Sequence, residues 1–146
     1  MGPSDLPHRK TAAHRSWVQL QAISLHAWCA NGIHPYLSRI NNPPKVCDAA
    51  GASDSVIKFA TEGLFENFRI ADDMLAGREY FFDHFTAPDA HFFWCCGRAT
   101  QLGVDFSDFL NVAAHFKRMQ EQLLAFEKEV NEGSPKRPRQ TSSVLL

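Results

Sequence analysis

The chain has 146 residues, 45% of them hydrophobic, with 15 basic side chains against 16 acidic ones. That length holds one domain with a real core and is too short for two ordinary ones. A net charge of −1 leaves no field over the body of the protein to recruit nucleic acid or an anionic membrane, and no apolar stretch approaches the ~20 residues needed to span a bilayer.

In chain order, residues 1–12 are rich in Pro, His, Lys and Arg without periodicity, so they are expected as a flexible lead-in. They contain no apolar signal-peptide core, and a cytoplasmic protein is the expectation. A first helix is expected from near Ala13 to about Ile40, with Trp17, Leu20, Ser24 and Trp28 on one apolar face. Pro35 removes a donor and crowds the preceding turn, which predicts a kink near Ile33 and His34. Asn41-Asn-Pro-Pro44 ends this element. A second helix opens at Ser53 as candidate N-cap, carries Ile57, Ala60, Leu64, Phe68, Ala71 and Leu75 at steps of three and four, and closes at Gly77.

Thr86-Ala-Pro-Asp89 is a helix start written directly before the apolar run Ala90-His-Phe-Phe-Trp-Cys-Cys96. Thr86 can cap the first turn, Asp89 can return a bond to the Thr86 backbone N–H, and Pro88 sits where no donor is missed. Phe85 and Ala90 hold the two positions of a hydrophobic staple. The helix that follows, about Ala87 to Leu102, is apolar nearly all round and is expected to be buried on every side, with Gly103 as its stop. A last helix runs from about Asp108 or Leu110 to Val130, its apolar side made by Val112, Phe116, Met119, Leu123, Phe126 and Val130. Residues 134–146 shift to Pro, Ser, Thr and basic residues and are expected as a disordered tail. The sum is an all-α single domain of four to six helices over residues 13–133.

The four cysteines, Cys29, Cys47, Cys95 and Cys96, fit no zinc spacing and are expected as reduced thiols. No two histidines make a ligand pair on one helical face, so no metal is implied. There is no phosphate-cradling glycine loop, no G-x-S-x-G and no supported nucleophile, so no catalytic residue is assigned.

Phe85-Thr-Ala-Pro-Asp-Ala90, with Leu75-Ala-Gly-Arg-Glu-Tyr80 before it and Gly103-Val-Asp-Phe and Asn111-Val-Ala-Ala-His-Phe-Lys-Arg-Met119 after it, resembles the C-terminal helical domain of bacterial glutathione S-transferases. The resemblance reaches back to Leu25-His-Ala-Trp-Cys-Ala-Asn-Gly-Ile-His-Pro-Tyr-Leu37. It implies that Thr86 and Asp89 are the capping residues of the central helix. It also implies that His34 stands where the family places a histidine near the glutathione site, and that Trp28, Tyr36, Phe93 and Trp94 could line an apolar acceptor pocket. The family's thioredoxin-like domain, which binds and activates glutathione, has no counterpart pattern in this chain.

Two functions follow as expectations. One is a protein-interaction or apolar-ligand-binding module with no cofactor of its own. The other is the helical half of a truncated or split glutathione transferase, which conjugates glutathione to electrophiles only when a thioredoxin-like domain is supplied. The isolated chain is expected to be inactive. Its expected partner is a second copy, through the first two helices as in the resembling family, or a thioredoxin-like domain; nucleic acid and membrane are not expected partners.

Overall fold

The computed structural model describes residues 6–133, with side chains from residue 15 onward. Within them the chain is all-α, with no strand. Helix α1 spans Leu6–Trp28, a π-helical turn covers Cys29–Ile33, and α2 spans His34–Asn41. A 3₁₀ turn at Pro43–Lys45 leads to α3, Ser53–Leu75, then α4, Ala87–Gln101, and α5, Leu110–Gly133. The expected tail, residues 134–146, lies outside the described residues, as do residues 1–5 of the expected lead-in. Residues 6–12 belong to α1, which starts well before the expected Ala13.

The break expected at Pro35 takes the form of the π-helical turn. Proline has no N–H to give to the carbonyl of the preceding turn, and just ahead of it the ladder widens: the His34 N–H bonds to the Cys29 carbonyl. Pro35 itself sits in the first turn of α2. The turn changes which neighbour the helix meets, since α2 lies against α3 whereas α1 packs on α4.

That partnership corrects the face expected for α1. Trp17 and Leu20 are 60% exposed and Ser24 is exposed, Trp28 alone of the expected face packs against the core, and the buried positions are Leu25 and Cys29, with Val18 and Ala22 partly covered. The stripe is rotated toward α4, because contact with α4 selects the face and apolar residues stand on more than one face of the helix. Ser53 is corrected too: Ala52 occupies the N-cap position and makes no side-chain cap bond, so Ser53 is the first helical residue.

The stripe of α3 holds from Ala60 onward, with Ala60, Leu64, Phe68, Ala71 and Leu75 all buried, while Ile57 in the first turns is exposed. Phe68 is the centre of an aromatic core, its ring 6.0 Å from Phe92, 5.4 Å from Phe106 and 5.9 Å from Phe109. Burying each such phenyl ring contributes about 2 to 3 kcal/mol. Where α2 crosses α3, the Tyr36 ring lies directly over Gly63, so close that a Cβ there would overlap it. Gly77 and Gly103 follow α3 and α4 at φ 69° and 74°, in the left-handed conformation that ends a helix.

α4 contributes Pro88, Asp89, Phe92, Cys95, Cys96 and Ala99 to the interior. It is not buried on every side, because Trp94 is 47% exposed and Ala90 and Thr100 face outward. α5 is one continuous helix, and its start is capped from another element. Asp72 of α3 accepts from the backbone N–H groups of Asn111 (2.7 Å) and Val112 (3.0 Å). That cap joins residues far apart in the chain, so no local pattern announces it. Among the described residues no helix is long and apolar enough to cross a membrane.

Candidate functional site

Asp89 is the one fully buried carboxylate among the described residues and is surrounded by donors. Its Oδ2 accepts from the Thr86 backbone N–H at 2.8 Å and from the Thr86 hydroxyl at 2.7 Å, and the capping box is formed. Its Oδ1 accepts from the Phe81 N–H at 3.0 Å and lies 3.2 Å from His115 Nε2. Burial pushes the Asp89 carboxyl up, but the bonds from His115, Phe81 and Thr86 outweigh it and hold the group below the ordinary 3.8. A carboxylate whose oxygens are filled by these donors locks the entry of α4 to the 81–86 loop and to α5. With no open lone pair toward solvent it is a structural group, not a general base. The staple residues Phe85 and Ala90 are both exposed, and the Phe85 ring instead meets Tyr80 edge-on at 6.1 Å.

The thiols are free, and Cys29, Cys95 and Cys96 are buried in the core. Burial, and for Cys29 the nearby Asp89 charge, pushes Cys29 and Cys95 up to about 12, while Cys96 stands well above its ordinary value for the same reason of burial. Such thiols are inert as nucleophiles. Cys47 is exposed. Three histidines share one side of the bundle. The His26 and His91 rings are 4.7 Å apart, and His34, exposed at the start of α2, meets Trp94 edge-on at 4.9 Å. Burial lowers the His91 pKa, and His26 and His34 lower it further. Among the described residues no group of three or more His, Cys, Asp or Glu side chains could hold a metal ion.

A groove of about 770 Å³ lies between α1 and α3, where α1 packs on α4. Leu25 and Trp28 wall it from α1, Ile70 and Met74 from α3, and Phe81 and Phe82 close its end, with Arg78, Gln21 and Ser24 at the rim. Trp28 is fixed there by its Nε1–H, which donates to Asn67 Oδ1 at 2.9 Å, and by stacking on Phe92. Arg78 is held at the rim by a long bond, 3.4 Å, to the Phe81 carbonyl.

Of the residues singled out in the sequence, only Trp28 lines this groove. Phe93 and Trp94 lie on another face, beside a smaller hollow with Phe116 and Gln120. Tyr36 packs over Gly63 with the Arg39 guanidinium 5.1 Å from its ring centre. His34 adjoins Trp94 and not Trp28. The four aromatics are therefore not gathered into one pocket. Ile70, Met74, Phe81 and Phe82 carry the groove instead. For Ile70 and Met74 a signal existed: they are apolar residues four apart, displaced from the buried stripe of α3. Comparison of the chain with protein-family models, with curated proteins and with solved structures finds no match.

Proposed function

We propose that this chain is a binding module, related to the helical half of glutathione transferases, that takes up an apolar ligand in the groove between α1 and α3. The observation that carries this reading is the groove: six apolar side chains wall about 770 Å³, inside the range of small-molecule sites, with Gln21, Ser24 and Arg78 as its polar lining. Binding is also supported by the state of the buried groups, since the buried thiols are inert and the buried carboxylate is consumed by structural bonds. The test is titration with the apolar probe anilinonaphthalene sulfonate while the methyl signals of Ile70 and Met74 are followed by NMR. Both signals are expected to move, and Ser24→Trp, which fills the groove from its rim, is expected to abolish the movement. Static methyl signals at saturating probe would sink the reading.

The alternative is the helical half of a split or truncated glutathione transferase. It is favoured by the Thr86 and Asp89 box, formed at the start of α4 where the resemblance puts it. On this reading glutathione binds only to an added thioredoxin-like domain, and His34 and Trp94 would face it. Mixing the chain with a separately produced thioredoxin-like domain of a bacterial glutathione transferase would then raise conjugation of an aromatic electrophile. Rates equal to those of the added domain alone would reject it.

A further inference from the structure

α5 is longer than the bundle that holds it. Its apolar stripe, Val112, Phe116, Met119, Leu123, Phe126 and Val130, advances by alternating steps of four and three residues, the spacing of a left-handed coiled-coil seam. The first half of that stripe is covered: Val112 is 0% exposed, Met119 8%, and Phe116 packs on Phe93 and Phe106. The second half is not, with Leu123 46%, Phe126 63% and Val130 47% exposed, and every residue from 120 to 132 faces solvent. The periodicity continues unbroken past the point where the bundle stops covering it.

We propose that the second half of α5 is a self-association seam that lies antiparallel against the same segment of a second copy of this chain. Charge selects this occupant and its direction. Lys117 and Arg118 stand just ahead of the segment, Arg118 with its guanidinium on the Glu79 carbonyl at 2.6 Å, while Glu127, Glu129 and Glu132 against Lys128 leave the segment's end negative. Antiparallel pairing sets Lys117, ahead of the segment, beside the partner's negative end, whereas parallel pairing would bring the two negative ends together. The positions flanking the seam are Gln120 and Gln122 toward the start, Gln122 also donating to the Tyr80 hydroxyl at 2.6 Å, and Glu127 and Glu129 toward the end. In the antiparallel arrangement amides therefore face carboxylates, with no like charges across the seam. A twofold contact is self-complementary, so a single stripe on each copy is sufficient.

The area fits a weak dimer. The exposed parts of Leu123, Phe126 and Val130 amount to about 300 Å² per copy, and with the flanking residues the pair would bury on the order of 1,000 Å², the lower edge of specific interfaces. α1 and α3 offer no comparable seam. Trp17, Leu20 and Ile23 are exposed but advance by threes and wind around α1, and Phe59 and Ile70 on α3 are separated by Glu62 and Glu66.

Sedimentation velocity on the full chain, from micromolar to millimolar concentration, is the test. A dimer fraction that rises with concentration is expected, and Leu123→Glu and Phe126→Glu should each raise the dissociation constant at least about tenfold. Both residues are exposed, so helicity by circular dichroism should stay unchanged. Neutralising Glu127→Gln and Glu129→Gln together should weaken the dimer and reduce its sensitivity to salt; a tighter dimer would overturn the antiparallel order. A monomer at every concentration overturns the proposal. So does a monomer that dimerises once residues 134–146 are removed, which would assign the seam to the chain's own tail.

Discussion

Asp89 shows how much of the fold can depend on one side chain. Thr86, Phe81 and His115 all direct donors at it, so Asp89→Ala removes a helix cap and strands several buried groups at once. The loss is expected at about 3 kcal/mol or more, beyond the ~1 kcal/mol typical of a cap alone. Chemical denaturation of the variant and parent checks it, and a loss under about 1 kcal/mol would mean that the network relaxes freely. The same carboxyl sets an acid limit. Its folded pKa lies below the 3.8 of the unfolded chain, so its stabilisation is complete above about pH 4 and is lost as pH falls through the folded value. The parent's stability should therefore decline in that window, and the decline should be shallower in Asp89→Ala.

At the scale of elements, two contacts fix how the helices meet. Gly63 lets the Tyr36 ring rest on the backbone of α3, and an added methyl would overlap ring carbons that α2 holds in place. Gly63→Ala gains intrinsic helix propensity, close to 1 kcal/mol, yet is expected to destabilise by about 1 to 3 kcal/mol, because overpacking outweighs propensity here. A melting temperature at or above the parent's would show that α2 can lift off α3 without penalty. The Asp72 cap at the start of α5 is the second contact. It ties the last long helix to α3 and aims the Val112, Phe116 and Met119 face into the core.

Across the whole molecule, protection should follow cover. α4 lies between α1 and α5, supplies buried residues along its length and has its entry locked by Asp89. The second half of α5 has intact helical bonds but no covering layer. Hydrogen exchange should therefore be slowest in α4 and fast over residues 120–132 in dilute solution. In concentrated samples those residues should slow if the seam pairs. Exchange in α4 as fast as in residues 120–132 would contradict the placement of the core.

What the sequence determined by itself was local: helix identity, the stripe of α3, the glycine stops at Gly77 and Gly103, and the Thr86 and Asp89 box. Each is written within a few residues, where backbone conformation and capping chemistry act. The cap on α5, the face that α1 buries and the position of the groove were decided only by the tertiary structure. Asp72 and Asn111 meet across two helices. α1 is apolar on more than one face and takes its direction from the turn ahead of Pro35. The aromatics that the resemblance grouped were separated because Tyr36 was drawn to Gly63, Phe93 to Phe116 of α5 and Trp94 to His34. Residue type and spacing state which side chains can be buried, and packing between distant segments decides which of them share a space.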